Sequence, residues 1–210
     1  FGMTTKLIMS FLRHLSEEEA FNTLEEAMPY KKLITAVGLD SSEVGNPPSK
    51  FQQVFAKAEA EGFLTVAHAG EEGPAEYVWE ALDLLNVSRV DHGNNSLDDE
   101  ILVQELVDRK MPLTVCPLSN LKLQVVKDLK KHPLREMLQK GLLATINSDD
   151  PAYFGGYMNA NYIEVVAALT LTKEEVCQLT KNAFQASFLN DNQKKDMIAR
   201  VEDYCKENSF

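Results

Sequence analysis

Long apolar runs are missing from this 210-residue chain, where nothing approaches the ~18 consecutive residues of a membrane-crossing helix. No basic, apolar, small-residue leader opens it either, so the expectation is a cytoplasmic protein that engages no membrane. Positive charge is scarce. Lys and Arg total 21 against 32 Asp and Glu, for a formal net charge of −11. That deficit argues against a sequence-independent grip on nucleic acid or anionic lipid, both of which need clustered cations. Cysteine is nearly absent: Cys116, Cys177 and Cys205 lie far apart with no CxxC, so neither a disulfide framework nor a thiolate zinc site is indicated. The three are read as reduced and structural. Phosphate-cradling loops are absent too, because Gly155-Gly156 and Gly70-Glu71-Glu72-Gly73 have neither the GxxxxGK[ST] nor the GxGxxG spacing.

What is present is 44% hydrophobic and 25% charged, enough for one globular domain over 1–210 with a substantial core. Short β-rich runs alternate with longer capped stretches, the pattern of repeated βα units and a parallel sheet. Strands are predicted over 7–13, 36–39, 64–68, 89–92, 113–117 and 142–147. Helices are predicted from the capping box at Ser16 to about Met28, from a Ser49 cap to Glu61, and from Pro74 to Leu85. Further helices run from Ser96-x-x-Asp99 to Lys110 and from Pro133 to Gly141, with an irregular stretch after Pro117. From about Asn159 onward the chain reads as helical, with another capping box at Thr172-x-x-Glu175.

Six parallel strands suit either an open doubly wound sheet or most of an eight-stranded barrel. Barrels carry their chemistry at the C-terminal ends of many strands, whereas an open sheet concentrates it at one switch point. Here polar residues follow nearly every strand: Asp40-Ser41-Ser42-Glu43, His68 with Glu71, Asp91-His92, Ser119-Asn120, and Ser148-Asp149-Asp150. The fold class expected is α/β, a (β/α)8 barrel.

In TVAHAGEE, a strand ends on His68, and Glu71 follows across a glycine. A catalytic Zn²⁺ takes imidazole nitrogen and carboxylate oxygen and keeps a position for water. His68 and Asp149, each ending a β-run, suit one such ion. Glu71 is then placed beside the metal as a general acid or base, His92 near the attacking water, and Asp150 on the substrate side. Each residue also has a bland account. A strand-end histidine is commonly a hydrogen-bonded structural residue, Asp-His-Gly makes a good turn, and Asp-Asp-Pro is a common helix N-cap. Coincidence at three strand ends is harder to dismiss. His14 and His132 are assigned structural roles, before a capping box and at a helix entry, and Cys116 is read as a core cysteine.

In order along the chain, TVAHAGEEGP, RVDHG, LTVCPLSN and INSDDP resemble the successive motifs of the adenosine and adenine deaminase family of the amidohydrolase superfamily. GLDSSEVGNPPSKF, HAGEEGP and CPLSNLKL look closer to the adenine branch. The resemblance implies a zinc-dependent barrel acting on a small purine, with His68 and Asp149 as metal ligands. It implies that Glu71 protonates purine N1, that His92 orients and deprotonates the zinc-bound water, and that Asp150 faces N7. Asp40, Ser41 and Ser42 then lie where the family presents backbone groups to the N3 side. The family's first-strand HxH pair, which supplies two more zinc ligands, has no counterpart here. The strands are accordingly expected to be the third to the eighth, and the chain an N-terminally truncated piece that is inactive alone. Adenosine or N6-substituted adenine as substrate, and a catalytically dead barrel with a binding role, are the competing readings; nothing in the sequence bears on oligomeric state.

Overall fold

The computed structural model describes residues 3–208, which fall into two units that join in sequence at Asp98 and Asp99. In the N-terminal unit, β1 (Leu7–Leu12), β2 (Ile34–Asp40), β3 (Leu64–Ala69) and β4 (Arg89–His92) alternate with α1 (Glu17–Ala27), α2 (Gln52–Ala60) and α3 (Ala75–Asp83). Consecutive strands pair in parallel, so each helix is a crossover between neighbours. The strand interiors are apolar: Ala36, Val37, Leu39, Val66, Ala67, Ala69 and Val90 are all buried. Against them α1 buries Ala20 and Leu24, and α2 buries Val54, Phe55 and Ala58, with Phe55 edge-on to Phe11 at 5.7 Å between centroids.

The capping box at Ser16 forms as expected. Ser49 does not cap the second helix, because a 3-10 turn over Pro48–Phe51 precedes it. That helix is capped from another element: Glu17 Oε1 accepts from the amides of Gln53 at 2.7 Å and Val54 at 3.0 Å. Ser96 likewise lies inside a 3-10 turn, and Asp99 is the actual N-cap of α4 (Glu100–Asp108), accepting from the amides of Ile101 and Leu102. Aspartate outcompetes serine here because its charged oxygen reaches two of the orphan amides at once.

The C-terminal unit continues with β5 (Pro112–Val115), α5 (Pro117–Lys122), α6 (Leu134–Gln139) and β6 (Leu143–Ile146). It ends with α7 (Pro151–Phe154), α8 (Met158–Leu169), α9 (Lys173–Ala186) and α10 (Asp191–Glu207). The two strands are parallel, Pro112 opposite Leu143 through Val115 opposite Ile146. Buried Asn182 of α9 donates to the carbonyl of Ala144, which ties helix to strand. The stretch after Pro117 is not irregular throughout: proline at the first helical position starts α5 there. The expectation of three reduced cysteines is also overturned in part, since Cys177 and Cys205 form a disulfide between α9 and α10. Folding two successive helices against each other joins residues 28 apart in sequence, a proximity that spacing alone hides. Cys116 is free and buried. Among the described residues no helix is long and apolar enough to cross a membrane.

Candidate active site

Strand register in the N-terminal unit sets the first half of the site. β3 and β4 pair so that His68 lies opposite Asp91, and Ala69 opposite His92. The imidazoles of His68 and His92 meet edge to face, with centroids 4.7 Å apart. Glu71, on the turn after β3, brings Oε1 to 3.3 Å from His92 Nδ1, a close approach without hydrogen-bond alignment. Asp40, at the end of β2, puts Oδ1 3.3 Å from His68 Nδ1 and also accepts from the Ser41 amide at 2.5 Å. The structure therefore gathers Asp40, His68, Glu71 and His92 into one cluster at the ends of three adjacent strands.

Left-handed backbone at non-glycine residues occurs at His92 of this cluster, φ 68°, and at Ser41 beside it, φ 82°. Such conformations persist where the surroundings enforce them, and they collect at functional sites. His92 is 2% exposed. Burial pushes its imidazole down to about 3, the neighbouring His68 adds to the shift, and Asp91 opposes it. The ring is thus neutral at pH 7, able to accept a proton at one nitrogen while the other donates. Ser42 is exposed, and its carbonyl accepts from Asn46 Nδ2 at 3.1 Å. His14, given a structural role from the sequence, lies with Nδ1 2.7 Å from Ser41 Oγ, beside a substrate-binding candidate.

Three residues that the sequence reading gave no role brace this cluster. Glu43, 2% exposed, accepts from the amides of Gly70 at 2.6 Å, Glu71 at 3.0 Å and Glu72 at 2.8 Å. Asn95 holds the other side of the same turn, donating from Nδ2 to the carbonyls of Glu71 at 3.2 Å and Gly73 at 2.8 Å. Arg13, wholly buried, donates from Nη1 to the His68 carbonyl at 2.6 Å and from Nε to the Asn46 carbonyl at 2.8 Å. Burial pulls the Arg13 guanidinium below its ordinary value, and Glu43 is the largest of the charges that oppose the shift. The sequence did hold a signal for Glu43: a Gly-Glu-Glu-Gly turn exposes successive amides that need an acceptor, and an anion suits such a concavity.

In the C-terminal unit, Asp149 follows β6 with φ 56°, and its Oδ2 accepts from Ser119 Oγ at 2.6 Å. Asp150 caps α7, Oδ1 accepting from the amides of Ala152 and Tyr153 at 3.2 Å each, with Pro151 at the first helical position. Both aspartates are exposed. His132 takes the structural role expected of it: Nε2 lies 3.2 Å from Asn120 Oδ1, and Nδ1 accepts from the Leu134 amide at 3.1 Å. Burial pushes its imidazole down to about 4.

Among the described residues, His68 offers an imidazole and Asp149 a carboxylate, both donor types that a catalytic zinc takes. Both fit that use. The Asp40 carboxylate at His68 Nδ1 is the arrangement that orients a metal-bound histidine through its other nitrogen, and the Ser119 hydroxyl orients Asp149 in the same sense.

Comparison with known proteins places this geometry in a family. The chain is 62% identical over 200 residues to a protein named adenine deaminase from Acinetobacter baylyi, a match that covers 95% of this chain and 60% of that protein. It is 60% identical over 200 residues to one of the same name from Rhodospirillum rubrum, with the same coverage. The chain thus spans about 60% of the length of the curated relatives it matches. Among solved structures it is similar to an adenine deaminase from Arthrobacter aurescens, with a TM-score of 0.95 and 47% identity over 98% of this chain and 63% of that one. An amidohydrolase from Burkhoderia ambifaria with bound Zn matches with a TM-score of 0.90 and 29% identity, over 99% of this chain and 58% of that one. The α/β barrel class expected from the sequence is the class of these neighbours. The family model described as adenosine deaminase matches residues 1–204, and the chain belongs to that family.

Proposed function

We propose that this chain is the part of a cytoplasmic adenine deaminase that carries its proton-transfer residues, within a single barrel domain. The reaction is hydrolytic: water adds to C6 of adenine, the C6–N bond breaks, and hypoxanthine and ammonia leave. The observation that carries the reading is the cluster of His68, Glu71 and His92 in a chain 62% identical to a protein named adenine deaminase.

Glu71, 9% exposed and on a turn with fixed backbone, gives its carboxyl proton to purine N1, which makes C6 electrophilic. His92, neutral through burial, receives the proton of the attacking water and holds that water in line. Asp150 faces N7, and Asp40, Ser41 and Ser42 border the N3 side of the ring. His68 and Asp149 would hold a Zn²⁺, which would supply Lewis acidity to make water nucleophilic at neutral pH.

The test is adenine and adenosine consumption, followed by ultraviolet absorbance on the protein expressed from its complete reading frame. A pocket closed around a free base excludes ribose sterically, so kcat/KM for adenine is expected to exceed that for adenosine by on the order of 100-fold or more. Equal rates on the two substrates would overturn the adenine assignment.

A further inference from the structure

Building on the deaminase reading, we propose that Glu43 is a positioning residue for the proton donor: its buried carboxylate gathers the amides of residues 70–72 and so aims the Glu71 side chain. Three successive amides converge on one carboxyl group, Gly70 on Oε1 and Glu71 and Glu72 on Oε2. Burying a carboxylate is costly unless donors replace its water, and these three do so. The concavity depends on glycine. Gly70 sits at φ 70°, where a side chain is strained. A Cβ at Gly73 would stand 2.7 Å from Glu43 Oε1 and 2.9 Å from its Cδ, so the carboxylate occupies space that only glycine leaves.

The opposite face of the turn is held as tightly. Asn95 donates to the carbonyls of Glu71 and Gly73, and its own amide donates to the Gly70 carbonyl at 2.8 Å. The backbone of Glu71 is therefore bonded at both its amide and its carbonyl, to the side chains of Glu43 and Asn95. With the backbone fixed on both sides, only the side-chain torsions of Glu71 remain to be set, and Oε1 lands 3.3 Å from His92 Nδ1. Pre-set geometry of this kind matters to catalysis because a displacement of about 1 Å at a reacting group can cost on the order of 100-fold in rate.

The experiment uses the protein expressed from its complete reading frame and compares wild type, Glu43→Gln, Asn95→Ala, Glu71→Gln and the double variant Glu43→Gln/Glu71→Gln. Glutamine is close to isosteric but turns amide hydrogens toward backbone donors. Glu43→Gln is expected to lower kcat on the order of 100-fold, to leave KM for adenine within about 3-fold, as expected when only transition-state contacts are lost, and to retain zinc. Asn95 is only half-buried, so Asn95→Ala folds even where Glu43→Gln does not, and it should show the same split between kcat and KM. The double variant should be no slower than Glu71→Gln alone, because Glu43 acts only through Glu71. A purely structural anchor would instead give additive losses or loss of metal. Near-normal kcat in Asn95→Ala or Glu43→Gln, or additive losses in the double variant, overturns the proposal. A wild type that leaves adenine untouched, or a fully active Glu71→Gln, overturns the deaminase reading beneath it instead.

Discussion

The two units carry their site residues in opposite ways. In the N-terminal unit Glu71 and His92 are buried, and buried side chains brace the backbone beside them, Glu43 at the Glu71 amide and Arg13 at the His68 carbonyl. In the C-terminal unit Asp149 and Asp150 stand exposed on a turn, with Ser119 on the first and the α7 amides on the second. Groups that transfer protons need fixed geometry and a controlled environment, which burial and redundant hydrogen bonds supply. Groups that meet an ion or a substrate need open oxygen, and the exposed turn that carries Asp149 at φ 56° leaves it available. On the proposed reading, substitutions at Glu71 and His92 act on turnover, and those at Asp149 and Asp150 on metal, substrate and local helix stability.

The largest effect expected is the loss of all turnover from residues 1–210 alone. The proposed function assigns zinc to His68 and Asp149 alone, and a catalytic zinc takes at least three protein ligands. Metal analysis of the purified chain should find far less than one zinc per molecule, and adenine should persist in its presence. Stoichiometric metal with turnover would mean that further residues supply ligands, and the assignment of zinc to His68 and Asp149 alone would fail.

Next is the contrast between Glu71→Gln and Asp149→Ala in the protein from the complete reading frame. Removing the proton donor should lower kcat by about 10²–10⁴ while zinc stays bound, since no ligand is touched. Removing the carboxylate at Asp149 should lose metal together with activity. Identical metal contents in the two variants would erase the division of labour.

Much of this was legible in the sequence, for identifiable reasons. The six strands lie within a residue or two of where their β-rich runs place them, because parallel strands buried on both faces are apolar throughout. His68, Glu71 and His92 were grouped correctly as neighbours, since parallel pairing forces the ends of consecutive strands together. Contacts set by backbone geometry across loops were not legible. Nothing in the spacing of Glu43 and Gly70 shows that a carboxylate will seat on an amide 27 residues away, or that Glu17 will cap α2 in place of Ser49. The disulfide failed for the same reason, being made by the packing of α9 on α10. The approach of the Asp40 carboxylate to His68 Nδ1 at 3.3 Å, on the next strand, was not legible either.

A smaller effect concerns pH and the one buried histidine of the C-terminal unit. His132 has its imidazole pushed from 6.5 to about 4 by burial, so the unfolded chain binds its proton more readily than the folded one. Its contribution to stability is therefore intact above pH 6.5 and is lost as pH falls toward 4. Denaturant unfolding at about pH 4.5 and pH 7 should show a loss of roughly 2–3 kcal/mol from this residue. His132→Asn should lower stability at pH 7 by breaking its bonds to Asn120 and Leu134, and it should flatten the acid dependence by that amount. An unchanged slope in the variant would show that carboxylates govern the acid limb instead.

The smallest effect separates two roles that meet in one side chain. Asp150 caps α7 through the Ala152 and Tyr153 amides, and the proposed function also has it face N7 of the purine. Asparagine preserves the cap, since its carbonyl oxygen accepts the same hydrogen bonds, but it removes the carboxylate. Alanine removes both. Loss of an N-cap costs about 1 kcal/mol, so Asp150→Ala should unfold at lower denaturant than wild type while Asp150→Asn should match it closely. If Asp150 serves only the helix, activity should follow stability and Asp150→Asn should turn over adenine at the wild-type rate. If it also meets the purine, both variants should be slow, although only one is less stable. Reading denaturation midpoints beside kcat/KM for the pair assigns each role to its own measurement, and a fully active Asp150→Asn would leave α7 capping as the whole function of that carboxylate.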